Sequence, residues 1–253
     1  MRTKTNKFGF EIEGEYSNEF AQSLTEIGSI KGDGSIRRCS SNNLYHKKHH
    51  TEITPSEFAS EPIERKHLRS TKKIFDMYDK AYRNGDFHWN DTAGFHVHVS
   101  FRPKRPPEII SKEFCDFFYE KMQEKFAGAL KRRKNNRYCL AMIYDENSIY
   151  RGTERYHGVN INPSLHKHGT VEFRIFPAAT PYQMWKFLKF TLKTVEEFID
   201  IPLVKKFSID IPETEEYNRN IDYTLNMEMK EIADGSGFDT FDVAHLKPLK
   251  HNV

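Results

Sequence analysis

The sequence predicts an α+β fold, a largely antiparallel sheet with flanking helices, from two observations. Strand-like and helix-like segments are mixed without regular βαβ alternation, and three strand-like runs carry polar pairs at i and i+2 with apolar residues between them. Those runs are Phe8-Gly9-Phe10-Glu11-Ile12-Glu13, Phe95-His96-Val97-His98-Val99 and Val171-Glu172-Phe173-Arg174-Ile175. Side chains of one parity share a face of a strand, so each run offers a Glu/Glu, His/His or Glu/Arg pair to one side and hydrophobics to the other. A half-buried antiparallel strand alternates in this way as a matter of course. Solvated faces, however, draw mostly Lys, Thr, Ser, Gln and Glu. Carboxylates, imidazoles and a guanidinium on three strands, two of them flanked by the small residues Gly14 and Ala93-Gly94, point instead to a site for hard divalent metals and the phosphates they neutralise.

The elements follow in order. The first strand is expected over about 8–15, and a helix from Ser17 or Asn18 to Ile27. Gly28 to Ser35 is turn-rich, and Lys31-Gly32-Asp33-Gly34-Ser35-Ile36 reads as a hairpin turn leading into a strand. Residues 37–50 are polar and read as a loop, since the packed His46, His49 and His50 have no interleaved carboxylate or thiol. Thr51 to Glu61 is strand-like and carries Glu57. A helix from Ile63 to Arg83 is closed by Asn84-Gly85. Arg102 to Pro107 is a proline-rich connection that no helix crosses. From Ser111 to about Lys131 runs an amphipathic helix whose stripe of Phe114, Phe117, Phe118, Met122 and Phe126 reads as core packing. Residues 136–145 and 155–162 alternate like strands, and Pro181 opens a last helix to about Ile199. The last fifty residues are polar with scattered hydrophobics and receive no assignment.

With 253 residues the chain suits one large domain with a substantial core. Lys and Arg number 39 against 36 Asp and Glu, a formal charge of +3, so global charge gives no argument for a nucleic-acid or membrane partner. Local basic clusters at Arg65–Lys73 and Lys131–Arg137 read as helix faces or ends. Three cysteines, Cys39, Cys115 and Cys139, lack metal-type spacing and indicate a reducing compartment. With no apolar run behind a polar, basic start and no segment approaching ~18 apolar residues, a cytoplasmic protein is expected.

In sum the motifs resemble those of the amidoligase family, whose members look like distant relatives of glutamine synthetase and γ-glutamylcysteine ligase. The carrying motifs are Gly9-Phe10-Glu11-Ile12-Glu13, Asp33-Gly34-Ser35-Ile36, Glu57-Phe58-Ala59-Ser60, Gly94-Phe95-His96-Val97-His98-Val99-Ser100 and Val171-Glu172-Phe173-Arg174. They stand in the order of the glutamine synthetase catalytic domain. The resemblance implies a glutamine synthetase-like catalytic domain over residues 1–200, with 201–253 an extension packed on it. Glu11, Glu13, Glu57, His96 and Glu172 would then supply metal ligands, His98 would sit near the nucleotide phosphates, and Arg174 would stabilise the transferred phosphoryl group. Arg137 and Asn160 would add substrate or phosphate contacts, and Asp33 would position substrate or simply make its turn. Oxygen ligands with an occasional imidazole suit Mg²⁺ or Mn²⁺, and ATP needs metal plus Arg to offset its charge. One departure is that glutamine synthetase carries a further acid about eight residues past the position of Glu57, whereas the nearby acids here are Glu61 and Glu64. No Gly-rich phosphate loop is present.

The implied function is ATP-dependent amide formation between a carboxylate and an amine through an acyl phosphate. Its substrates would come from amino acids, peptides, cell-wall precursors, a protein side chain or a modified nucleobase, with no membrane partner. Asp33 and Glu61 are the candidates for the general base. Two rivals share the scaffold logic, a phosphagen-type kinase that phosphorylates a guanidino group and a non-catalytic module that uses the sheet as a ligand platform.

Overall fold

A computed structural model describes residues 3–37, 53–102, 107–109, 111–133, 157–160 and 169–202. Its centre is β1 (Lys4–Ser17), a fourteen-residue strand. The other strands are β2 (Gly28–Gly32), β3 (Ile53–Ser60), β4 (Ile63–Glu64), β5 (Phe87–His88), β6 (Gly94–Arg102), β7 (Val159–Asn160) and β8 (Thr170–Pro177). They form one eight-stranded sheet in the order β2-β3-β1-β6-β8-β7, with β4 and β5 also paired to β1. Every pairing is antiparallel. The helices are α1 (Asn18–Leu24), α2 (Leu68–Asn84), α3 (Lys112–Arg133) and α4 (Pro181–Asp200), with 3₁₀ turns at Arg65–His67 and Pro107–Ile109.

Period-two alternation separates the two faces of this sheet. Phe8, Phe10 and Ile12 of β1, Phe58 of β3, Phe95, Val97 and Val99 of β6 and Phe173 of β8 are all buried on the apolar face. The helices cover that face through aromatic contacts: Phe10 to Phe75 at 5.1 Å between ring centroids, Phe75 to Trp185 at 5.5 Å, Phe118 to Phe173 at 4.5 Å and Phe176 to Phe187 at 4.7 Å. Burying each such side chain contributes about 1.5–3 kcal/mol. The buried hydroxyl of Tyr16 donates to the Ile12 carbonyl at 2.6 Å and lies 3.1 Å from the Tyr78 hydroxyl, so the polar atoms in this aromatic layer are satisfied.

Local chemistry fixes the helix ends. Gly85, at φ 85°, closes α2 with its N–H on the last turn, a conformation that costs glycine little. Thr180 and Gln183 form a capping box at the start of α4, with Pro181 in its first turn. Arg65 donates twice to Glu196, at 2.5 and 2.9 Å, and Thr5 donates to the same carboxylate at 2.8 Å, which ties α4 to the edge of β1.

Several expectations need correction. The first strand is longer than predicted, reaching back to Lys4 and on to Ser17, and the helix after it stops at Leu24 rather than Ile27. Gly28 to Gly32, read as turn-rich, is a strand, because pairing with β3 overrides the weak strand preference of its glycines. The turn at Asp33 to Ser35 therefore follows a strand, and no strand begins at Ile36 or Arg37. The helix expected from Ile63 begins with a two-residue strand and a 3₁₀ turn. α3 leaves helical angles at Phe126 (φ −138°, ψ 38°). Of the expected strand at 155–162, Val159 and Asn160 are seen as β7. The expected loop with His46, His49 and His50, the whole of the strand at 136–145, Arg137, Cys39, Cys139 and the extension beyond residue 202 lie outside the described residues. Cys115 is buried, and no helix among the described residues is long and apolar enough to cross a membrane.

Gly14 shows why a small residue follows the Glu pair. A Cβ there would lie 2.5 Å from the Phe87 ring and 2.6 Å from the His88 carbonyl. Gly14→Ala should therefore lower stability by about 1–3 kcal/mol through overpacking, read from urea or thermal denaturation. An unchanged midpoint would mean that β5 sits farther from β1 than described.

Candidate functional site

The opposite face of the sheet carries the polar residues. Register places them: Glu13 lies across from Glu57, Glu11 across from His96, and His98 across from Glu172. Two irregularities were not expected from the sequence. Val97 pairs with Phe173 but Phe95 with Phe176, so β8 bulges around Arg174 and Ile175. Arg174 shares the parity of Glu172 and so its face, and its backbone N–H is taken by the Gly158 carbonyl at 2.7 Å. A second shift lies in β1 between Thr5 and Phe8.

The side chains converge. His96, only 1% exposed, sets Nδ1 2.8 Å from Glu11 Oε2 and Nε2 3.4 Å from Glu13 Oε1, and the Glu172 carboxylate is 3.7 Å away. His98 Nε2 lies 3.0 Å from Glu11 Oε1 and 4.0 Å from Glu172 Oε1. Arg174 Nη1 donates to Glu172 Oε1 at 2.6 Å, while Asn160 Nδ2 donates to Glu172 Oε2 at 3.0 Å, so both oxygens of that buried carboxylate are held. Glu13 accepts the backbone N–H of Gly94 at the start of β6. Three sets of donor atoms lie close enough to share an ion: Glu11 with His98 and Glu172, Glu11 with Glu57 and His96, and Glu13 with Asp33 and Glu57.

Nine of the ten sequence-predicted residues thus gather on one face: Glu11, Glu13, Asp33, Glu57, His96, His98, Asn160, Glu172 and Arg174. The tenth, Arg137, lies outside the described residues. Asp33 serves the turn as well, since its Oδ1 accepts the Ser35 N–H at 2.8 Å. Glu61, the other general-base candidate, is exposed and belongs to none of the three donor sets. The sequence reading passed over Glu15, the buried third member of the i, i+2, i+4 series in β1, which faces His88 of β5. Its parity with Glu11 and Glu13 was the available signal.

Charge is crowded here, and proton affinities show it. Burial raises the Glu57 carboxyl, and the charges of Glu11, Glu13 and Asp33 raise it further against the opposing effect of His96, to about 7. Burial would also raise Glu11, but the hydrogen bonds and charges of His96 and His98 outweigh it and hold that carboxyl well below the usual carboxylate range. For His98, burial works against the cation, yet Glu11 and then Glu172 prevail and raise its proton affinity. Arg174 is likewise held cationic against its burial by Glu172.

Glu57 carries a pH signature. Its carboxyl titrates near 4.5 when unfolded and near 7 when folded, so the metal-free fold holds the extra proton between those values and loses stability as pH rises through that window. Glu57→Gln removes this loss. In EDTA the variant should gain little over the parent at about pH 5, gain more up to about pH 7 and hold that advantage above it, as read by thermal denaturation. A pH-independent difference would show that Glu57 does not feel its acidic neighbours.

A family model described as "putative amidoligase enzyme" matches residues 107–193, about a third of the chain. The matched segment holds Asn160, Glu172 and Arg174, while Glu11, Glu13, Glu57, His96 and His98 lie before it. No curated protein and no solved structure matches the chain. The family that the five motifs resemble is the one whose model matches, and its description supports a ligase at a coarse level.

Proposed function

We propose that the chain is an ATP-dependent carboxylate–amine ligase that forms an amide through an acyl phosphate. The observation that carries this reading is the convergence of Glu11, Glu13, Glu57, Glu172 and His96 on one sheet face with His98 and Arg174 beside them. The donor set passes a chemical test for Mg²⁺ or Mn²⁺: it is carboxylate-rich with imidazole, and Glu57, whose carboxyl burial raises first and the charges of Glu11, Glu13 and Asp33 raise further, is a group that a cation would hold ionised. Glu11, Glu13, Glu57, His96 and Glu172 would hold the metal, which would neutralise phosphate charge during transfer.

The rest falls to the chain's own groups. A carboxylate is a poor electrophile and hydroxide a poor leaving group, so phosphoryl transfer from ATP to the carboxylate comes first. An amine then attacks the acyl phosphate and releases phosphate. The rigid sheet positions the reactants, which suits chemistry governed by placement and charge. Glu11 raises the proton affinity of His98, which would stand near the phosphates. Arg174, only 2.6 Å from Glu172, has the planar fork that suits the growing charge on the phosphoryl group. Asn160 fixes the second oxygen of Glu172. Asp33, close to Glu13 and Glu57, would be the group that deprotonates the attacking ammonium.

The direct test is ADP release over a panel of amines crossed with carboxylates, with mass spectrometry of the product. Turnover should require Mg²⁺ or Mn²⁺ and disappear in EDTA, and Glu11→Gln should lower it by orders of magnitude while the fold persists. Undiminished turnover in EDTA would sink the metal assignment. Arg174→Ala should lower kcat by ~10³-fold or more, with a smaller rise in KM for ATP, and Arg174→Lys should recover little. A kcat within about twofold of the parent would reduce Arg174 to a structural partner of Glu172. A phosphorylated product that forms without an amine would favour the kinase reading.

A further inference from the structure

We propose that the groove over Gly9 is a second binding subsite, which takes an elongated, non-aromatic anion whose far acidic group pairs with Lys7. A cavity of about 530 Å³ begins at Glu11 and His98 and runs along β1 to Lys7, with Gly9 on its floor. Ser60 and Pro62 line one side, and Ser100 and Thr170 the other.

Gly9 is the first argument. A glycine inside a strand costs about 0.5–1 kcal/mol relative to alanine, so it calls for a reason. Conformation supplies none, because Gly9 is not among the positive-φ glycines. Crowding within the chain supplies none either, since an added Cβ would meet only Ser60, at an ordinary 3.5 Å from Oγ. Gly14, five residues on, has an internal reason of that kind. A strand glycine without one, lying on the floor of a groove, marks a place where something outside the chain approaches the backbone closely.

Lys7 is the second argument. The β1 irregularity falls at Asn6 and Lys7, and the Ser100 hydroxyl holds it by accepting the Lys7 N–H at 3.1 Å and donating to the Lys7 carbonyl at 3.2 Å. The lysine is exposed at the groove's outer end. Its cross-strand neighbour Glu64 pairs with Lys66 at 2.7 Å, and no described carboxylate forms an ion pair with Lys7. The ammonium is thus available to a ligand.

The lining defines the class. Phe8 and Phe10 are buried in the core and offer the groove no ring face, so between Lys7 and the His98 end no aromatic ring is presented to a nucleobase. Ser60 accepts the Phe10 N–H at 3.0 Å and keeps its own hydroxyl proton to donate. Lys7 and Glu11 are four residues apart, about 13 Å along the strand. These features suit an extended acid with one anionic end at Lys7 and the other at the Glu11 and His98 end. The ligase reading enters only in identifying that inner end as the place where the acid would be activated.

The test uses the full chain, Mg²⁺ and linear dicarboxylates from succinate to suberate as molecular rulers, with binding read by calorimetry. Affinity should peak at one chain length. Lys7→Gln should weaken the best binder about tenfold, as expected for loss of one charge-assisted contact, and flatten the length dependence. Gly9→Val, which fills the floor with a residue favoured in strands, should abolish binding while the melting temperature stays at or above the parent's. No binding at any length, or parent-like binding by Gly9→Val, overturns the proposal. Mn²⁺ binding, followed separately by electron paramagnetic resonance, distinguishes the two readings. Mn²⁺ binding without dicarboxylate binding overturns the groove alone, whereas a dicarboxylate optimum without Mn²⁺ binding keeps the groove and overturns the metal reading.

Discussion

Four carboxylates gather around the single buried imidazole of His96, and the surrounding structure is arranged to hold that concentration of like charge. Left to solvent, Glu11, Glu13, Glu57 and Glu172 would move apart. They stay because each stands on a strand whose other face is locked into an aromatic core, so withdrawing one carboxylate by moving its backbone would expose Phe10, Phe58 or Phe173. The core thus does more than fold the chain. It supplies the free energy that keeps repelling groups within reach of one another, the arrangement expected when a functional site stores strain at the expense of stability elsewhere.

Compensation within the site is specific and partial. Glu11 has two imidazoles, Glu172 has Arg174 and Asn160, and Glu13 has the Gly94 N–H. Glu57 has the least help, and its carboxyl is the one whose proton affinity rises into the neutral range. The face is also graded along β1. Carboxylates dominate from Glu15 to Glu11, His98 stands beside Glu11, and beyond Gly9 the lining changes to hydroxyls and the Lys7 ammonium. On the proposed reading, such a gradient would keep a metal-bound phosphate and an organic acid side by side without either occupying the other's place.

Much of this was legible because β-strands carry their facing in their parity. The pairs at 11 and 13, 96 and 98, and 172 and 174 announced one face before any register was known, and register then brought them together. What stayed hidden depended on long-range pairing. Nothing local in Gly28–Gly32 announces a strand, because its partner Ile53–Ser60 lies more than twenty residues on. The bulge at Arg174 and Ile175 arises from a mismatch between β6 and β8 that neither segment shows alone. Glu15 escaped attention although its parity was plain, because the motif that drew the eye ended at Glu13.

The division of the site between the two parts of the chain bears on its function. The segment that matches the amidoligase model carries Glu172, Arg174 and Asn160 on β8 and β7, together with most of the two helices, α3 and α4, that pack beneath them. By itself it holds one carboxylate of the cluster and one guanidinium, already paired with each other at 2.6 Å. Glu11, Glu13, Glu57, His96 and His98 come from strands before it, and β6 joins the halves by pairing with β1 on one edge and β8 on the other. Of the three donor sets, the one that combines Glu11 and His98 with Glu172 therefore exists only when both halves fold as one sheet, while the other two lie wholly before the matched segment. In that sheet Arg174 has two candidate anions, the Glu172 it binds here and the phosphate it would face in turnover. A cation at Glu172 would weaken the first of these attractions, and so release the guanidinium for the second when the charged substrate arrives.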